Sequence, residues 1–229
     1  MMKLTACISI LFLITTQSKA QINPYHYRLQ KKVEVTKAAV VSAHPLASQA
    51  GLEMLKQGGN AFDAAIATQL ALAVVYPGAG NIGGGGFLVG HLKNGKNIAI
   101  DYRETAPAKA SRDMYLDANG NAQLNLSQDG HLSAGVPGTV AGLFAAMKYA
   151  KLPFRKLAGP AILLAEKGFA LTASQAADFN EYKKEFEAFN KAPLAFVKNE
   201  AWKEGDTLTQ PELAKTLKRI PGLGHERIL

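Results

Sequence analysis

Cysteine is almost missing from this chain of 229 residues: Cys7 is the only one. Beyond that position no disulfide, thiolate nucleophile or cysteine-based metal site can form. A run long enough to span a bilayer is also lacking, since the mostly apolar residues 4–16 fall short of the necessary length. There is no G-x-S-x-G elbow, so a serine hydrolase of that type has no support. His44, His91 and His131 have no spacing suited to a metal or a catalytic triad and read as turn or surface residues. The lysines behind the net charge of +8 are scattered, with no basic stripe interleaved with aromatics. Nucleic-acid binding therefore has no footprint here, and a solvated surface is the expectation.

What is present is ordinary globular material, 48% hydrophobic, enough for a sizeable core. Residues 1–20 stand apart. Lys3 gives a basic start, the apolar run follows, and Ser18-Lys19-Ala20 forms a small-x-small cleavage site. This is the pattern of a secretory signal peptide cut after Ala20. Export to the periplasm or outside the cell, with no membrane attachment afterwards, is the expectation. Leu4-Thr5-Ala6-Cys7 resembles a lipoprotein box, but there the apolar run must precede the cysteine, and here it follows. Without Lys3 and Lys19 the remaining chain, 21–229, carries +6.

Along 21–229, residues 37–42 (KAAVVS) read as a short buried strand. Ser48 lies in the first turn of a helix that runs to about Gln57, where Gly58-Gly59 supplies a left-handed stop. Asn60 is a good N-cap, with Asp63 at the positive helix end, for a second helix over 61–75 that Pro77 ends. Residues 87–92 and 97–102 flank the turn Asn94-Gly95 and predict a β-hairpin. Residues 117–121 are a polar surface turn. Helices are expected over 140–149, 159–167 with Pro160 opening it, 174–188, and 208–220 with Pro211 at its start, and a strand over 194–198.

Between the second helix and the hairpin stands GAGNIGGGGF, residues 78–87, which holds six glycines and contains the G-x-G-x-x-G of dinucleotide sites. That fingerprint must follow a strand and open a helix, and here it follows a helix and opens a hairpin. No Walker lysine or helix N-terminus is present to hold phosphate. The glycines read instead as tight backbone passing close to other backbone or to a ligand.

Four stretches in this order, GLEMLKQGGNAFDAAIATQLALAVVYPGAGNIGGGGF, DYRETAPAKASRDMY, SAGVPGTVAGL and GDTLTQPELAKTLKRI, resemble the γ-glutamyltranspeptidase family, from about Lys37 to about Ile220. The resemblance implies an α+β fold, the Ntn-hydrolase αββα sandwich, present here only in part as the N-terminal portion of the large subunit. It implies γ-glutamyl transfer or hydrolysis on glutathione and related compounds, through a threonine nucleophile and an acyl-enzyme. No cofactor or metal is implied. Arg103, in DYRETAP, matches the family arginine that grips the substrate α-carboxylate. On the residues alone the favoured reading is a surface arginine paired with Glu104 or Asp101. The resemblance places GNIGGGGF in the core, as packing with no contact to chemistry.

The resemblance also implies parts that these residues do not include. The nucleophilic threonine, the oxyanion amides and the small catalytic subunit are absent, so no catalytic residue is assigned and the chain alone is expected to be inactive. Residues 221–229 do not look like the family's continuation, and a frameshift or early stop near Ile220 is one expectation. Two alternatives stand beside it: a separately encoded large-subunit piece that meets its partner, and a non-enzymatic periplasmic module binding a carboxylate ligand. The apolar faces of 37–42 and of the hairpin are expected to lack partners.

Overall fold

The computed structural model describes residues 34–223. The signal segment, Cys7 and the end of the 221–229 tail lie outside them. α1 (Pro45–Lys56) and α2 (Ala61–Val75) pack against each other, α2 packs on α5 (Phe154–Lys167), and α5 on α8 (Pro211–Leu223). Their shared core is aliphatic, with Met54, Ile66, Leu70, Leu157 and Leu217 essentially inaccessible. A hairpin of β1 (Phe87–His91) and β2 (Asn97–Asp101) pairs Phe87 with Asp101 and His91 with Asn97. Its inner residues Leu88 and Ile100 join the core, while its other face is open.

Local signals explain these boundaries. Gly58, at φ +90°, takes the left-handed stop between α1 and α2. Asn60 Oδ1 accepts from Phe62 N at 2.8 Å, and Asp63 Oδ2 accepts from Asn60 N at 2.7 Å, a capping box on α2. Asp63 does more than cap. It is fully buried and also accepts from the backbone N–H groups of Lys151 and Leu152, at 3.1 and 2.8 Å. One carboxylate thus fixes the start of α2 to the loop before α5.

The remaining helices are α3 (Leu124–Gln128), α4 (Thr139–Ala146), α6 (Ala173–Glu181) and α7 (Lys183–Phe189). A second, minimal sheet pairs β3 (Phe169–Ala170) with β4 (Thr207–Leu208). Two residues carry no alternation, so no local pattern announces it. It forms because Phe169 and Leu208 are both buried in the core.

Several expectations are corrected. Residues 37–42 are not a strand: they pair with no strand among the described residues and are mostly exposed, Val41 to 90%. A strand needs a neighbour for its backbone groups, and none of the described residues provides one. Pro160 does not open a helix. It lies inside α5, which begins at Phe154 after Pro153 because burial of Phe154, Leu157 and Ala158 outweighs the hydrogen bond the proline forfeits. The helix foreseen over 174–188 breaks at Tyr182 into α6 and α7. Residues 194–198 form a turn, Val197 N donating to Leu194 O at 3.1 Å, while Phe196 stacks on Phe179 at 5.0 Å. Aromatic packing, with no strand partner, holds that segment.

His44 is neither a turn nor a surface histidine. It is the buried N-cap of α1: Nδ1 accepts from Leu46 N at 3.2 Å, and Nε2 is buried with no hydrogen-bond partner among the described residues, near the edge of Phe169. Burial pushes its pKa below the ordinary 6.5, because a charged imidazolium would be desolvated. The folded state therefore favours the neutral ring. Stability from this group is complete above the unfolded value of 6.5 and is lost as pH falls below it towards the depressed folded value. His44→Asn, which can still cap, is expected to flatten that acid-side loss in thermal unfolding scans between pH 7 and pH 5. Identical wild-type and variant pH profiles would count against it.

Candidate functional site

Arg103 leaves the hairpin just past the end of β2. Its own N–H donates to Asp101 Oδ1 at 3.0 Å, an Asx-type turn that swings the chain off the sheet. The guanidinium Nε pairs with Glu104 Oε2 at 3.2 Å and its carbon lies 5.8 Å from the Phe87 ring centroid. The side chain is 64% exposed, and its two terminal nitrogens bond to none of the described residues. These are the groups that make a forked contact with a carboxylate. Glu104 is held below the usual carboxylate range, first by its own backbone N–H, then by the Arg103 side chain, with Gly85 N–H adding a smaller contribution. The surface pairing read from the residues alone is therefore present, and it uses one edge of the guanidinium only.

The backbone that carries Arg103 is fixed on both sides. Before it, Tyr102 N donates to Gly86 O at 3.0 Å, and Gly86 N to Tyr102 O at 3.4 Å. After it, Val136 N donates to Thr105 O at 2.8 Å, and Thr105 N to Val136 O at 3.2 Å. Small residues let these segments meet. A β-carbon on Gly85 would stand 2.8 Å from Arg103 Cα and 2.7 Å from Tyr102 O, and one on Gly142 would overlap the Tyr102 ring. The Tyr102 hydroxyl then reaches Gln69 Oε1 on α2 at 3.1 Å. The glycine stretch is packing, as expected, but it packs directly on the segment that presents Arg103. Tyr102, Asn81 and Thr139 were not singled out from the sequence. The only hint was that glycines clustered before Phe87 and again over 135–142.

No other cluster competes. Among the described residues no group of three or more histidines, cysteines, aspartates or glutamates could hold a metal ion. His91 is exposed and bonds only across the hairpin, to Asn97 at 2.7 Å, and His131 is exposed. No described helix is long and apolar enough to cross a membrane. A cavity of about 860 Å³ lies between the glycine loop, residues 193–197 and the start of α8, with Asn81 and Gly84 in its wall. Arg103 is not part of that wall.

Residues 47–228 match the family described as gamma-glutamyltranspeptidase. The chain belongs to that family. Among curated γ-glutamyltranspeptidase-family relatives, the glutathione hydrolase proenzyme of Escherichia coli (strain K12) is 46% identical over 197 residues, 85% of this chain and 34% of the relative. The glutathione hydrolase proenzyme of Bacillus subtilis (strain 168) is 40% identical over 230 residues, 97% of this chain and 39% of the relative. The chain thus spans little more than a third of the length of these relatives. Among solved structures, the Helicobacter pylori γ-glutamyltranspeptidase superposes with a TM-score of 0.81 at 49% identity, covering 84% of this chain and 56% of that one. The fold is accordingly α+β, the part of the Ntn-hydrolase αββα sandwich of the γ-glutamyltranspeptidases that these residues supply.

Proposed function

We propose that this chain is the N-terminal part of the large subunit of an exported enzyme that transfers or hydrolyses γ-glutamyl groups, with glutathione and related γ-glutamyl compounds as donors. The observation that carries the reading is Arg103: a guanidinium on a doubly pinned backbone, with its terminal nitrogens free of partners among the described residues. Family membership gives that geometry its ligand, the α-carboxylate of the γ-glutamyl group. The nucleophilic threonine and the oxyanion amides would come from the partner subunit. The threonine oxygen bonds to the γ-carbonyl carbon as the amide C–N bond breaks, the amine leaving with the hydroxyl proton. Water or an acceptor amine then attacks the ester, the C–O bond to threonine breaks, and its proton returns to the threonine oxygen. Arg103 contributes orientation, since a donor gripped at its α-carboxylate presents the γ-carbonyl in one direction only.

The open side of the molecule supports a partner. Val41, in a segment with no strand partner among the described residues, is 90% exposed, and Phe87 and Val89, on the outer face of the hairpin, are 62% and 82% exposed. An apolar surface of this kind calls for a cover. Produced together with the remainder of the proenzyme, the assembly is expected to release nitroaniline from γ-glutamyl-p-nitroanilide and to leave the α-glutamyl isomer intact. Absence of turnover, or equal turnover of both isomers, would overturn the reading.

A further inference from the structure

Residues 103 and 104 form a two-residue bridge between two pinned points, and the two walls that pin them are themselves joined. One wall is 84–86, the other 136–139. Gly138 N and Thr139 N both donate to Gly84 O, at 2.9 Å each. A side chain then ties the same walls a second time. Asn81 Oδ1 accepts from Gly84 N at 3.0 Å and from Thr139 Oγ1 at 2.6 Å. Thr139 is fully buried, so its hydroxyl has no water to turn to if Asn81 is lost.

We propose that Asn81 is a positioning residue for carboxylate recognition by Arg103, acting through the Gly84–Thr139 clasp. It rests on the reading of Arg103 as the α-carboxylate ligand. A methyl side chain at position 81 leaves Gly84 N and the Thr139 hydroxyl without their shared acceptor. The walls then separate, and the Tyr102 and Thr105 pairings that fix Arg103 loosen with them. Asn81 stands within the glycine run, and its hydrogen bonds go to Gly84 and Thr139, with none to Arg103 among the described residues.

A purely structural role would lower the amount of folded enzyme and leave the donor KM alone, so the test separates the two. In the assembled enzyme, Asn81→Ala is expected to raise the KM for a γ-glutamyl donor about tenfold, with kcat within about twofold. Thr139→Val, which keeps the shape and loses the hydroxyl, is expected to do the same, and Thr139→Ser to restore the wild-type KM. A donor whose α-carboxylate is replaced by a carboxamide should show no difference between wild type and Asn81→Ala. In the Asn81→Ala/Arg103→Ala pair, the KM should be no worse than with Arg103→Ala alone. An unchanged KM in Asn81→Ala, or penalties that simply add in the pair, would overturn the proposal while leaving the Arg103 reading in place. Failure of Arg103→Ala by itself to raise the KM would overturn both, and it is seen without touching Asn81.

Discussion

Arg103→Ala in the assembled enzyme is expected to raise the donor KM by about a hundredfold, while kcat changes far less. The magnitude follows from the bond removed. A forked guanidinium–carboxylate contact is worth about 3 kcal/mol where water is excluded, which corresponds to about 150-fold in KM. Exposed to solvent the same contact would contribute much less. The Arg103 side chain is 64% exposed when this chain stands alone, so the full effect requires the water exclusion that the proposed assembly would supply. Arg103→Lys keeps the charge and loses the fork, and an intermediate rise of about tenfold is expected. Glu104 holds one edge of the guanidinium at 3.2 Å. If it serves as an orienting neighbour, Glu104→Gln should also raise the KM; if it competes with the donor, the KM should fall. Steady-state kinetics on the four proteins reads all of this. An Arg103→Ala enzyme with wild-type KM would return Arg103 to the role of an ion-paired surface residue.

Asp63→Ala is expected to cost about 3–4 kcal/mol of stability, a larger loss than removal of an ordinary cap. Its carboxylate is fully buried and receives N–H groups from Asn60, Lys151 and Leu152. Alanine would leave those three backbone donors unpaired, near the point where Phe62 stacks on Tyr149 at 5.0 Å and Asn60 Nδ2 donates to Tyr149 O at 2.8 Å. An exposed cap lost in the same way is worth about 1 kcal/mol, because water takes over the freed groups. Asp63→Asn keeps one acceptor oxygen and should fall between. Urea unfolding of the assembled enzyme, followed by tryptophan fluorescence, distinguishes the cases. A loss of about 1 kcal/mol in Asp63→Ala would show that Asp63 only caps α2 and does not tie it to the 151–152 loop.

Which parts were legible in advance depends on how far apart the interacting residues are. The bounds of α2 are set by Asn60 with Asp63 three residues on and by Pro77 just past the end, all within one stretch. The hairpin is set by Asn94-Gly95 between two short apolar runs, and Gly95 does take φ +82°. The strand foreseen at 37–42 and that foreseen at 194–198 carried the right composition, but composition cannot supply a neighbouring strand. His44 looked like a turn residue beside Pro45. Burial against Phe169, from a distant part of the chain, makes it an interior N-cap.

The site divides along the same line. Arg103 stood out because its motif has a family counterpart and its side chain suits a carboxylate. What holds Arg103 did not stand out, because Gly86, Val136, Asn81 and Thr139 come together only when the hairpin folds against the start of α4. The sequence by itself determined the tandem helices, the hairpin, the family and the choice of Arg103 as the candidate carboxylate ligand, since each rests on short-range capping, turn chemistry or a contiguous motif. Only the tertiary structure decided that the glycine run presses on Tyr102 and Arg103, that Asp63 ties α2 to the loop before α5, and that Val41, Phe87 and Val89 stay open. Those outcomes depend on close approach and on burial between residues far apart in the chain, and neither is written in any local pattern.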